Sequence, residues 1–127
     1  ATIHGGFGNG KPWLPVNENY KTVNVAAQDS DANSILNYFR KMQKLRKEND
    51  ALIYGKYALL DKDNPDVFAY TRELNEKKFL ILLNFKNKTA TVNTGMDLSK
   101  VKVLIKNYTT ASTDGTLKAY EAVIFEL

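Results

Sequence analysis

Lys78-Phe79-Leu80-Ile81-Leu82-Leu83-Asn84-Phe85 is the run that decides the fold. Phe79 to Leu83 are apolar without interruption, so a strand here has no side to give to water and must be covered on both faces, at the centre of a sheet. Shorter strand patterns lie on either side of it. Upstream are Leu52-Ile53-Tyr54, Tyr57-Ala58-Leu59-Leu60 and Val67 to Arg72; downstream are Thr89 to Asn93, Val101 to Tyr108, Thr116 to Ala119 and Ala122 to Leu127. Turn-forming residues separate them at Asp61 to Asp66, Glu73 to Glu76, Lys86 to Lys88, Thr94-Gly95 and Thr113 to Gly115. Strands at hairpin spacing predict a mainly β fold, an antiparallel β-sandwich of Greek-key type over residues 51–127.

The first fifty residues follow a different pattern. Ile35, Phe39, Met42 and Leu45 recur at helical spacing, widened by Leu36 and Tyr38, and Asp29, Ser30, Asp31 and Asn33 offer caps. An amphipathic helix over Asp31 to Glu48 is expected, with Arg40, Lys41, Lys44 and Lys47 on its solvent side. The period changes after Asn49-Asp50, which puts a domain boundary near residue 51. Ahead of the helix, Gly10-Lys11-Pro12-Trp13-Leu14-Pro15-Val16-Asn17-Glu18-Asn19-Tyr20 is neither helix nor central strand, because two prolines fix φ and remove amide donors. Trp13, Leu14, Val16 and Tyr20 are nevertheless too apolar to leave in water, so this ordered loop needs a cover. Val23 and Val25 alternate with polar neighbours over too short a span to assign.

The chemistry available is narrow. The 127 residues contain no cysteine and one histidine, which excludes a disulfide framework, a thiolate metal site and a cysteine nucleophile, and fits a cytoplasmic setting. Gly6-Phe7-Gly8-Asn9-Gly10 lacks the strand and helix that a phosphate loop needs. Asp61, Asp63 and Asp66 suggest a calcium loop, but Asp66 and Arg72 occupy the positions where it needs Gly and Glu. Asn87-Lys88-Thr89 and Asn107-Tyr108-Thr109 match the glycosylation sequon. Acidic residues of the strand region lie near turns or strand ends, where solvation is expected. A net charge of +4, with lysines spread along the chain, describes a solvated surface and argues against a nucleic-acid partner; no run approaches the roughly 20 apolar residues of a membrane span. No catalytic residue, metal ligand or cofactor site is assigned.

Gly6-Phe7, the run Gly10 to Asn17, Asn19-Tyr20, Asn24-Val25 and Asn33-Ser34-Ile35-Leu36-Asn37-Tyr38-Phe39-Arg40-Lys41 resemble, in this order, the C-terminal part of the α-glucosidases of the α-amylase clan. Oligo-1,6-glucosidases, dextran glucosidases and sucrose isomerases are the relevant members. Leu52-Ile53-Tyr54-Gly55 and Asp66-Val67-Phe68-Ala69-Tyr70-Thr71-Arg72 look like the start of that family's C-terminal β-domain. Glu18 stands where Pro is usual, and Ala1-Thr2-Ile3 where a polar run is common.

The resemblance implies that residues 1–50 are the last loop and helix of a catalytic (β/α)8 barrel and that 51–127 are the β-domain following it. It also implies a retaining mechanism whose Asp nucleophile, Glu acid/base and stabilising Asp lie upstream of the matched segment, so this chain alone is expected to be inactive. His4 and Trp13 are then candidates for sugar contact or for the barrel rim. The expected partner is the catalytic barrel, or a second copy held through Ile35, Phe39, Met42 and Leu45. The expected function is that of a structural segment of an enzyme acting on isomalto- or malto-oligosaccharides. The alternative is a free-standing carbohydrate-binding β-sandwich using Trp13, Tyr54, Tyr57 or Tyr70.

Overall fold

A computed structural model describes residues 2–127; Ala1, the first residue of the divergent Ala1-Thr2-Ile3 run, lies outside the described residues. The chain divides into two compact units, one reaching to Lys41 and the other Met42–Leu127.

In the second unit seven strands form: β1 (Lys56–Leu60), β2 (Val67–Leu74), β3 (Lys77–Asn84), β4 (Ala90–Thr91), β5 (Lys102–Lys106), β6 (Thr116–Leu117) and β7 (Ala122–Glu126). Five build one antiparallel sheet in the order β1-β2-β3-β7-β5, and β4 pairs with β6. β3, carrying the apolar run, takes the middle place. Its alternate residues serve two layers: Leu80 and Leu82 join Val67, Ala69, Val123 and Phe125 in a core that also takes Ala90 of β4 and Leu117 of β6, while Phe79 and Ile81 are buried on the opposite face. The β2–β3 hairpin closes through Asn75-Glu76, with Asn75 at φ 55°. That left-handed conformation is one that Asn tolerates better than a branched residue.

Three helices complete the fold: α1 (Val25–Ser30), α2 (Ile35–Glu48) and α3 (Ala51–Tyr54). Two differences from the sequence reading have physical causes. Leu52-Ile53-Tyr54 is a helical turn and not the lead into a strand. Arg72 donates to the Ala51 and Ile53 carbonyls (3.5 and 2.8 Å) and Arg46 to that of Leu52 (2.6 Å), so cationic side chains satisfy the end of the turn. Burial of Ala51 and Leu52 then outweighs local β preference. Gly55 follows because a Cβ there would stand 2.3 Å from the Ala51 oxygen and 3.0 Å from the Glu73 backbone. The second difference is that the long helix begins at Ile35, since Asp31 to Ser34 are used as a turn and the Ser34 hydroxyl accepts from Asn37 N at 3.2 Å.

Candidate functional site

The first unit is built by asparagine side chains in place of a core. Among its described residues Ser34 alone is buried. Asn24 caps α1 by accepting from Ala27 N (3.0 Å), and its amide donates to the Tyr20 and Lys21 carbonyls (3.1 and 3.2 Å). Asn37 donates to the carbonyls of Gln28, Asp29 and Asp31 (2.9, 3.2 and 2.8 Å), while Leu36 N donates to the Gln28 side chain at 3.0 Å. Arg40 and Asp29 add an exposed ion pair. Of the residues in the family pattern, Asn24 caps α1, and Ser34 and Asn37 join the end of α1 to the start of α2.

Around this scaffold the Pro-rich loop and α1 enclose a concavity of about 1050 Å³, with Phe7, Trp13, Leu14, Val16, Tyr20 and Val23 among its walls. Its apolar walls stay largely open to solvent: Trp13 is 92% exposed and Phe7 88%. The structure places the two candidate sugar contacts differently. Trp13 lines this concavity, whereas His4 is half-buried in a 3₁₀ turn (Ile3–Gly6) at φ 53° and is not one of its walls. Among the described residues no Asp or Glu lines it either. Retaining glycoside hydrolysis needs two carboxyl groups about 5 to 5.5 Å apart, and this concavity cannot supply them.

In the second unit the aromatic candidates gather on the sheet face away from the shared core. Tyr57 and Tyr70 have ring centroids 5.3 Å apart and Phe68 and Tyr70 5.0 Å, with planes tilted by 38° and 40°. Such tilted rings pack on one another and offer no single flat platform to a pyranose. Burial raises the Tyr70 phenol above its ordinary pKa. Tyr54, on α3, is exposed.

The acidic residues do not all behave as expected from their place at turns. Asp61 is fixed by donors, accepting from the Asn64 amide (2.7 Å) and Asn93 N (3.0 Å), and these lower its pKa. The turn that faintly suggested a calcium loop is thus held by side-chain amides, and no cluster of three or more metal-ligating side chains occurs among the described residues. Glu121 corrects the expectation of solvation outright, being 0% exposed. Its carboxylate accepts from Ser112 N (2.8 Å), Ser112 Oγ (2.7 Å) and Lys118 N (2.8 Å), with Lys118 Nζ at 3.7 Å. Burial alone would raise its pKa, but the donors together lower it. Nothing in the sequence around Glu121 marks it as buried, because its partners come from the preceding loop. Asn107 of the second sequon is likewise engaged, bridging Tyr120 O and Ala122 N at 2.8 and 2.9 Å.

The family described as alpha amylase, catalytic domain, matches residues 1–55, and the alpha-amylase SusG C-terminal domain matches residues 67–124. The oligo-1,6-glucosidase of Bacillus cereus is 38% identical over 129 residues, covering 98% of this chain and 23% of the relative. The trehalose-6-phosphate hydrolase of Bacillus subtilis strain 168 is 34% identical over 135 residues, covering 100% of this chain and 24% of the relative. Among solved structures, the isomaltulose synthase of Erwinia rhapontici NX5 superposes with a TM-score of 0.87 at 38% identity, over 100% of this chain and 24% of that one. The chain thus spans about a quarter of the length of the relatives it matches. No helix is long and apolar enough to cross a membrane among the described residues. With both halves matched in order, the chain belongs to the α-amylase clan, being similar over residues 1–55 to its catalytic domain and over residues 67–124 to a C-terminal domain.

Proposed function

We propose that this chain is the structural C-terminal segment of a retaining α-glucosidase acting on isomalto- or malto-oligosaccharides. In this reading residues 1–50 complete a catalytic (β/α)8 barrel as its last loop and helix, residues 51–127 form the β-domain, and the two ladders are the layers of a reduced Greek-key sandwich. The observation that carries it is the contrast between the units. Every buried apolar residue lies at or beyond Ala51 among the described residues, while Phe7, Trp13 and Ile35 (83%) stand almost fully exposed. Apolar surface of that extent marks an interface. Trp13 then braces the barrel's outer edge, and catalysis belongs to carboxylates of the barrel.

The test is complementation. The purified chain should release no glucose from isomaltose or p-nitrophenyl α-glucoside. Release should appear when it is mixed with the part of the Bacillus cereus oligo-1,6-glucosidase that lies outside the match. Turnover by the chain alone would sink this reading. Saturable quenching of Trp13 fluorescence by maltose or isomaltose, without complementation, would favour a free-standing carbohydrate-binding module that uses exposed Trp13.

A further inference from the structure

The Gly-rich entry to the first unit holds one peptide bond that the fold leaves open to chemistry. Most asparagine side chains of this protein are fasteners, engaged in hydrogen bonds such as those of Asn24, Asn37, Asn64 and Asn107. Among the described residues, the side chains of Asn9, Asn19, Asn33, Asn75 and Asn87 are not so engaged. In four of these the amide that follows is restrained or hindered. Tyr20 N donates to the Asn17 carbonyl at 3.1 Å and Ser34 N to that of Asp31 at 3.0 Å. Glu76 lies in the tight turn across which Leu74 and Lys77 pair, and Lys88 carries a full side chain. Asn9 differs. It and Gly10 are both exposed, and neither backbone makes a hydrogen bond among the described residues. On either side of Asn9 the chain has room, since a Cβ at Gly8 or Gly10 would meet nothing within 4 Å.

We infer that Asn9-Gly10 is a site of spontaneous covalent modification, at which the Asn9 amide is converted by water to a carboxylate. The Gly10 nitrogen, as its proton passes to base, attacks Cγ of Asn9. The N–Cγ bond forms, the Cγ–Nδ2 bond breaks, and ammonia leaves with a proton from solvent, closing a five-membered succinimide. Water then opens the ring at either carbonyl, to aspartate in the ordinary linkage or to isoaspartate, in which the chain runs through the side-chain carbon. One water is consumed and one ammonium released, with no other reactant. Asparagine is a thermolabile residue, and glycine after it favours the attack because it has no Cβ to block the approach and a freely turning backbone. The product changes the concavity of the first unit. Gly8, Gly10 and Lys11 are among its walls, so conversion sets an anion on the rim of a cavity that has no Asp or Glu among its described walls. Isoaspartate also lengthens the backbone leading to Trp13 by one carbon.

Incubating the purified chain in mildly alkaline buffer, followed by peptide mapping with tandem mass spectrometry, tests this. The peptide carrying Asn9 should gain the mass of an amide-to-acid exchange as two chromatographically separable products, and the intact chain should shift by one charge on ion exchange. Conversion at Asn9 should run within about threefold of its rate in the urea-unfolded chain, because nothing in the fold restrains it, whereas Asn19 and Asn33 should convert only once unfolded. Gly10→Ala, for which there is space, should slow the conversion roughly tenfold, and Asn9→Gln should remove it. Asn9 that stays intact in the folded chain but converts in the unfolded one would overturn the inference, since the loop would then be ordered against the attack. Equal rates for Gly10→Ala and the unmodified chain would overturn it as well, by excluding the succinimide. Neither result bears on the proposed function, which complementation tests separately.

Discussion

Glu121 shows how much one buried charge can hold. Three donors converge on its carboxylate from Ser112 and Lys118, so the nine-residue loop between β5 and β6 and the residue just after β6 are both pinned to the start of β7. Glu121→Ala leaves buried N–H groups unpaired, and the expected loss is about 3 kcal/mol. Glu121→Gln keeps the shape but turns an NH2 toward a donor, and should cost less. Because the folded-state pKa is lowered, the carboxylate's contribution is complete above the ordinary glutamate value of about 4.3 and fades as pH falls through the folded value beneath it. The urea-midpoint gap between wild type and Glu121→Gln should therefore be constant from pH 7 to pH 5 and narrow toward pH 3. Asp61 and Asp97, also lowered by hydrogen bonds, remain in both proteins and cancel from that comparison. A widening gap in acid would contradict the account. Residue-level roles of this kind were the least legible in the sequence, since Glu121 and Asn37 are defined by partners several residues away that no local pattern names.

Elements were far easier to read. All seven strands fall within or beside the predicted runs, because alternation and Gly/Asn turns are local signals. α3 escaped for the opposite reason: its helical turn exists because Arg46 and Arg72 reach its carbonyls. α1 escaped because Asn24 sets it by capping while its six residues are too few to show a period. The β2–β3 hairpin offers an element-scale test. Asn75→Gly should leave stability within about 0.5 kcal/mol, while Asn75→Val, which resists positive φ, should cost about 1 to 2 kcal/mol. Equal melting temperatures for the two variants would mean that the turn does not set the register.

At the scale of the molecule, order and burial are unequal between the units. Hydrogen exchange should be slowest in Phe79 to Leu82 and Val123 to Phe125, which lie in the buried centre of the sheet. Amides of α1 and of the first turns of α2 should exchange orders of magnitude faster in the free chain, for lack of a core beneath them. Comparable protection in both would contradict the division. The change from helical to alternating period is global and so shows in the sequence, whereas the asparagine framework of the first unit was visible only as a pattern without a mechanism. The strand order also bears on synthesis. β7, the last of the seven strands to be made, sits between β3 and β5, so β5 has no partner in the sheet and β3 only one until β7 arrives. A nascent chain can form the β2–β3 hairpin early, but one edge of β3, which carries the unbroken Phe79 to Leu83 run, stays bare until then. The sheet closes only once β7 has left the ribosome, and that interval is when a holdase chaperone would matter most.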